Sequence, residues 1–371
     1  MNTERDDWYL IKDIDSIDSP CVVIYRQRVL ENIHTLISMA DDINRLRPHV
    51  KTHKIREVAG LMIDAGITKF KCATIAEAEM LGMSSAPDVL IAYQLTEPKL
   101  KRLIELIKKY PFTQFSCVID NIISAKQLAE HALANSRGIP VFIDINVGMN
   151  RTGIQPGAEA IDLYKQCREI DNLKVVGLHV YDGHIRNKDF GQLKINCDRS
   201  FEPVEAMLDT LIQEGYYPTI VAGGSPTFPV HIKRKKIECS PGTFIFWDYN
   251  YQSNCTEQLF KPAALVIARV ISVPSKNTVC IDLGHKSIAS ENELGKRVHF
   301  LNAPGLAFIS QSEEHLVAST PGNQFKVGDV LYGLPYHICP TVALYERALV
   351  IEDHQLKDEW KIIARDRKIT V

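Results

Sequence analysis

Between residues 46 and 239 a short apolar run gives way to a helical pattern, and the alternation repeats eight times. The apolar runs are 46–50, 69–73, 88–92, 114–119, 140–147, 173–180, 219–222 and 236–239. Helical spacing of apolar residues follows in 55–65, 75–82, 97–108, 122–134, 158–167 and 200–214. Strands that read as apolar throughout are covered on both faces, which is the signature of a parallel sheet. Parallel neighbours need a crossover, and the helices supply it. Eight such units predict a (β/α)8 barrel of the TIM type, with functional residues at the carboxyl ends of its strands.

The pattern changes near residue 255. Strand-like runs at 264–273, 278–283, 297–301, 328–332 and 341–351 carry turns between them and few long amphipathic helices. They predict an all-β domain. A β-rich run at 20–25 is too short to stand alone and is expected to join that domain. The resulting division is a barrel over 26–255 and a β domain made of 1–25 and 256–371. With 371 residues, 45% of them hydrophobic, either part can bury a core.

Composition excludes several classes. A net charge of −2 gives no reason to expect nucleic acid or a membrane surface as partner. No apolar run approaches the ~20 residues of a membrane span. The polar, acidic start, Met1 to Asp7, is unlike a signal peptide. Nine cysteines, an odd number without paired spacing, fit reduced thiols in a cytoplasm. Cys21, Cys72, Cys117 and Cys280 lie in apolar runs and read as small core residues.

Six stretches carry possible chemistry. Arg47-Pro48-His49-Val50-Lys51-Thr52-His53-Lys54 places Lys51 near the end of the first barrel strand, among cationic neighbours that would favour its free amine. Such a lysine is a candidate Schiff-base nucleophile; a basic turn on a solvated face is the plain alternative. Gly223-Gly224-Ser225-Pro226-Thr227 follows strand seven, where barrel enzymes often bind phosphate, and Gly242-Thr243 follows strand eight. Both also read as ordinary turns. Arg151, between Gly148 and Gly153, can bind a phenolate or carboxylate oxygen. Tyr181 and His184 end strand six and can touch a ligand or serve the core and a cap. His337 and Cys339, two apart in an extended chain, would point the same way and suit Zn²⁺; a satisfied histidine beside a buried cysteine is the alternative.

Taken together these motifs resemble the D-threonine aldolase and D-serine dehydratase family, which is related to alanine racemase. The Lys51 octapeptide, the Arg151-Thr152-Gly153 loop, Tyr181-x-Gly183-His184, Gly223-Gly224, Ser312-Glu313-Glu314-His315 and His337-x-Cys339 carry the resemblance, which spans nearly the whole chain. It implies a barrel and β-domain homodimer that uses pyridoxal 5'-phosphate and a divalent metal, Zn²⁺ or else Mn²⁺. It implies that Lys51 carries the cofactor and that Gly223, Gly224, Ser225, Gly242 and Thr243 hold its phosphate. Arg151 would reach the phenolic oxygen, Tyr181 the ring, and His337 and Cys339 the metal. Ser240 stands where alanine racemase places an arginine near the ring nitrogen. The substrate would be a small D-3-hydroxy amino acid. The expected reaction is β-elimination of water to a keto acid and ammonia; the alternative is retro-aldol cleavage to glycine and an aldehyde. A racemase or a non-catalytic cofactor carrier fits the motifs less well.

Overall fold

The computed structural model describes residues 7–133, 138–320, 322 and 324–371. Residues 1–6, part of the expected 1–25 segment, and residue 134, the end of the expected helix 122–134, lie outside the described residues. The chain forms two compact units. One takes the chain up to Thr35 with Thr243–Arg365; the other takes Leu36–Gly242 with Asp366–Val371. The boundaries thus fall at 35/36 and 242/243, where 25/26 and 255/256 were expected, and the last six residues join the barrel unit.

A 3-10 turn, Ile14–Ser16, precedes strand β1 (Cys21–Tyr25) and helix α1 (Arg26–Ser38). The barrel unit follows. Its strands are β2 (Lys69–Cys72), β3 (Asp88–Ile91), β4 (Gln114–Ile119), β5 (Ile139–Ile145), β6 (Leu173–Val180), β7 (Thr219–Ala222) and β8 (Ile237–Cys239), all parallel and in sequence order. Leu90, Val118, Phe142 and Val221 pack as one buried cluster from four of these strands. Helix α2 (Arg56–Asp64) precedes β2, and between the strands run α3 (Ile75–Met83), α4 (Glu97–Lys109), α5 (Ile122–Ala132), α6 (Ala158–Arg168), α7 (Phe190–Gln213) and the single turn α8 (Phe228–His231).

The first stave differs from the expected strand at 46–50. Residues 46–49 close the barrel by single parallel bridges, Leu46 to Cys239 and His49 to Lys71. Arg47 N donates to Cys239 O at 2.9 Å, His49 N to Pro241 O at 2.9 Å, and Lys71 N to Pro48 O at 2.9 Å. Pro48 has no N–H, so a continuous ladder cannot form through it. The chain then turns into a 3-10 helix, Val50–Thr52, which carries Lys51. Helix α7 also departs from expectation, because it starts ten residues before 200. Asp189 caps it, accepting from Gln192 N at 2.7 Å. Pro203, which marks a helix start by propensity, lies inside it; burial of Leu193, Cys197, Phe201, Val204, Met207 and Leu211 outweighs that signal.

In the other unit β1 lies between two strands of the C-terminal region. It pairs parallel with β15 (Arg347–Glu352) and antiparallel with β9 (Ala264–Ser275). Strands β10 (Thr278–Ile281), β11 (Val298–Phe300), β12 (Ala307–Gln311), β13 (Leu316–Ser319), β14 (Val330–Pro335) and β16 (Gln355–Lys361) complete one largely antiparallel sheet. Val23, Tyr25, Leu265, Ile267, Tyr332, Leu334 and Ile351 form its buried cluster. After the short helix α9 (Tyr249–Asn254), the unit's one further α-helix among the described residues is α10 (Ile338–Leu344). It replaces the first part of the strand expected at 341–351. The segment buries Ile338, Thr341 and Val342, an i, i+3, i+4 set that suits a helix face.

Candidate active site

Lys51 sits where the first stave turns. His49 caps that turn, its Nδ1 accepting from Lys51 N at 3.2 Å. Burial, then the charges of Lys51, Lys71 and Lys54, push the His49 imidazole well below its ordinary range, so the cap is neutral. The other expected cationic neighbours are committed elsewhere. Arg47 makes a bidentate pair with Asp88 at 2.7 and 3.0 Å and a third bond to Glu238 at 2.7 Å. Lys54 pairs with Glu77, and His53 Nδ1 engages the backbone of Ile55.

Three cationic groups converge instead on the ring of Tyr181. Lys51 Nζ lies 5.9 Å from its centroid, Lys71 Nζ 5.6 Å and Arg151 Cζ 5.0 Å. Arg151 rides on a loop held by Asn146 Oδ1, which accepts from Gly148 N at 3.1 Å and Asn150 N at 3.0 Å. His184 is exposed and lies against Gly148, leaving that glycine no room for a Cβ.

Sequence reasoning missed Lys71. It is buried on β2, and its Nζ lies 3.4 Å from His179 Nε2. His179 Nδ1 lies 2.7 Å from Asp144 Oδ1, and Gln94 Nε2 donates to Asp144 Oδ2 at 2.7 Å. The carboxylate fixes the imidazole proton on Nδ1, so Nε2 accepts from the amine. Burial and the Lys51 charge pull the Lys71 amine down to about 7. The available signal was a lysine inside the apolar run Phe70-Lys71-Cys72.

The turn after β7 is a buried glycine cradle. Gly223 has φ +75°, and a Cβ there would stand 2.8 Å from His231 Cδ2; one on Gly224 would stand 3.1 Å from Tyr181 Cε2. Gly224 N donates to Thr227 Oγ1 at 3.2 Å, and Thr227 Oγ1 donates to Asp182 Oδ1 at 2.7 Å. Asp182 Oδ2 meets His231 Nε2 at 2.8 Å, with Cys197 Sγ 3.3 Å from the same nitrogen. Burial works against ionising Asp182, but His231 and Thr227 outweigh it and hold the carboxyl below its usual range. Asp182, Cys197 and His231 offer metal-type donors close together. Donors around a tetrahedral ion at 2.0–2.3 Å would lie roughly 3.3–3.7 Å apart; the Asp–His separation is that of a hydrogen bond, so a proton fills this cluster. Gly242 N donates to Ser225 Oγ at 3.1 Å, and a Cβ on Gly242 would meet His49 O at 3.0 Å.

Ser240 is buried, and its Oγ has no hydrogen-bond partner among the described residues. An orphan hydroxyl, a cradle only glycine can line and a lysine facing an aromatic ring fit pyridoxal phosphate. Lys51, Arg151, Tyr181, Gly223, Gly224, Ser225 and Gly242 all belong to the barrel unit.

Thr243 opens the other unit, where its Oγ1 lies 3.9 Å from Cys339 Sγ. His337 and Cys339 do not lie on an extended segment: His337 caps α10 and Cys339 is in its first turn. The two side chains are nonetheless in hydrogen-bond contact, and that bond, with Glu291 and Asp248, outweighs burial to lift His337 to about 9. Glu291, which sequence reasoning also missed, bonds His337 Nδ1. A carboxylate on one imidazole nitrogen leaves the other for a metal, so an imidazole and a thiol side by side fit a divalent ion. Glu313 and Glu314 pair with Lys286 on the surface beside His315, in the turn between β12 and β13.

Two family models match the chain: the N-terminal domain of alanine racemase over residues 24–250, and a serine dehydratase domain over residues 263–351. D-threonine aldolase of Arthrobacter sp is 27% identical over 359 residues, 94% of this chain and 93% of its own. D-threo-3-hydroxyaspartate dehydratase of Delftia sp. strain HT23 is 22% identical over 89% of this chain and 93% of its own. The crystal structure of D-threonine aldolase from Filomicrobium marinum superposes with a TM-score of 0.86 at 25% identity, covering 94% of this chain and 95% of that one.

Proposed function

The chain belongs to the family built on the alanine racemase N-terminal domain, joined here to a serine dehydratase domain, and on that premise we propose that it is a pyridoxal-phosphate-dependent lyase acting on a D-3-hydroxy amino acid. The convergence of Lys51 and Arg151 on Tyr181, beside a glycine cradle and the orphan hydroxyl of Ser240, carries this reading. Its relatives' names support the substrate class.

Bound at Lys51, the cofactor supplies an electron sink for negative charge at the substrate Cα. The residues do the rest. Gly223, Gly224, Ser225 and Gly242 would hold the phosphate. Tyr181, which Lys51 and Arg151 approach, would contact the cofactor ring, and Arg151 would be near enough to reach one of its oxygens. Lys51 Nζ would be the group placed to move the Cα proton. His337 and Cys339 would hold a divalent metal, with Zn²⁺ favoured over Mn²⁺ by the sulfur ligand, and that metal would supply Lewis acidity.

The finer reading is β-elimination of water, giving a keto acid and ammonia. Cys339 supports it, since the resemblance puts a cysteine at that position in the dehydratase branch. Retro-aldol cleavage to glycine and an aldehyde is the second reading, favoured by the similarity to D-threonine aldolase. Product analysis with D-serine, D-threonine and D-3-hydroxyaspartate decides. Pyruvate and ammonia from D-serine are expected; glycine and acetaldehyde from D-threonine would reverse the preference.

We place the enzyme in the cytoplasm as a homodimer. Nine free cysteines support a reducing compartment, and the family resemblance supports the dimer. Among the described residues no helix is long and apolar enough to cross a membrane.

A further inference from the structure

We propose that Lys71 is a cofactor-contacting residue, its Nζ donating to the phenolic oxygen that the resemblance alone would leave to Arg151. The inference rests on the pyridoxal phosphate reading above.

The first argument is connectivity. In pyridoxal phosphate the ring carbon bearing the aldehyde has two neighbours. One carries the phosphate arm and the other the phenolic oxygen. The aldehyde carbon belongs to Lys51, on the stave that bridges β8 through Leu46 and β2 through His49. The glycine cradle follows β7, and Gly242 follows β8. With the phosphate arm on the β7–β8 side of Lys51, the phenolic oxygen falls on the β2 side. Lys71 is the β2 residue paired with that stave, and its Nζ lies against the same Tyr181 ring as Lys51 Nζ.

The second argument is charge. Lys71 is buried, and among the described residues its amine makes no ion pair with a carboxylate and hydrogen-bonds only His179. Asp144 is engaged by His179 and Gln94, and Asp182 by His231 and Thr227. Lys51 and Arg151 add positive charge from the other elements around the ring. The carboxylates of Asp144 and Asp182 act on this buried amine without pairing with it, and a phenolate would supply a direct counter-ion. The lowered proton affinity of Lys71, with burial as its main cause and Lys51 second, is what such a vacancy produces. The chain Gln94–Asp144–His179 aims the amine and leaves its remaining hydrogens for the ligand.

The test is a cycle of ligand and protein changes. Equilibrium titration of the apoprotein with pyridoxal phosphate and with its 3-deoxy analogue, which lacks the phenolic oxygen, gives four affinities for the parent and Lys71→Met. The parent should prefer pyridoxal phosphate by about tenfold or more, the usual strength of a charge-assisted hydrogen bond. In Lys71→Met the preference should vanish through loss of pyridoxal phosphate affinity alone, with a shifted visible band. Lys71→Arg should restore part of it. If Lys71→Met lowers both affinities equally, or neither, the assignment is overturned. Should Lys71→Met fail to fold, Lys71→Gln is titrated in its place, with the same two outcomes. A parent that binds neither ligand would overturn the cofactor reading itself; a parent that binds both with no preference would overturn only the role of Lys71.

Discussion

Asp182 Oδ2 stands 2.8 Å from His231 Nε2, with both side chains buried and the ring against Gly223. The His231 ring backs Gly223 of the glycine cradle. Removing one partner strands the other charge in a dry site, which typically costs ~3–5 kcal/mol. His231→Ala should therefore lower the melting temperature of the apoprotein sharply and weaken pyridoxal phosphate binding in the same measurement series. A variant that melts normally yet loses the cofactor would place His231 in the ligand shell instead.

The same cradle predicts a backbone effect. Gly223 has φ +75°, and an added methyl would sit 2.8 Å from His231 Cδ2. Gly223→Ala should cost ~1–3 kcal/mol in chemical denaturation, from strain and displacement of the ring. Gly215 also has positive φ but has nothing within 4 Å of a built Cβ, so Gly215→Ala should cost less.

Glu291 gives the metal reading a handle away from the ligands. Its bond to His337 Nδ1 orients the imidazole. Glu291→Gln should weaken divalent metal binding 10–100-fold, as loss of such a partner commonly does, measured by competition with a chromophoric chelator. Chelation of the parent should abolish lyase turnover while leaving the cofactor's visible band in place.

Ser240 Oγ has no partner among the described residues, so removing it from the apoprotein deletes a desolvated hydroxyl rather than a hydrogen bond. Ser240→Ala should melt at the same temperature as the parent or slightly above it. In the loaded parent the ¹⁵N shift of the ring nitrogen is expected to report an unprotonated pyridine, since a hydroxyl does not hold a pyridinium as a carboxylate would. A persistent pyridinium signal would refute this.

Lys71 makes apoprotein stability depend on pH in a defined window. Its folded pKa is about 7 against an ordinary 10.5. Above about 10.5 the amine is neutral in both states and carries no penalty. Below about 7 it is charged in both, and the folded state bears the full penalty. Between them the unfolded chain holds more protons, so stability climbs with pH. Melting curves should show Lys71→Met gaining on the parent most at pH 6 and least near pH 10.

Most of the barrel was legible because its strands are short, apolar and spaced by helices; β4, β6 and β7 fall where the pattern put them. The errors share one cause, a local signal outvoted by a distant contact or hidden by a single residue. Pro48 interrupts the first stave. The 341–351 run reads as strand, yet its first half buries a helical face. Of the candidate site, Lys51, Arg151, Tyr181 and the glycines are proposed from their motifs. Asp144 and His179 are not, because their pairing depends on β5 and β6 lying in register 35 residues apart. Glu291 and His337 are separated by 46 residues, and no motif links them.

The proline in the first stave has a mechanical consequence. A barrel is as tight as its weakest seam, and here the seam is the stave that leads into the reactive lysine. It is stitched by the Arg47 and His49 amides on one side and the Lys71 amide on the other. A molecule anchored covalently at Lys51 and gripped by the turns after β7 and β8 would span that seam like a rivet. Hydrogen exchange at these three amides should then slow on loading far more than exchange in β4 or β5, making the vitamin a fastener of the wall as well as a reagent inside it.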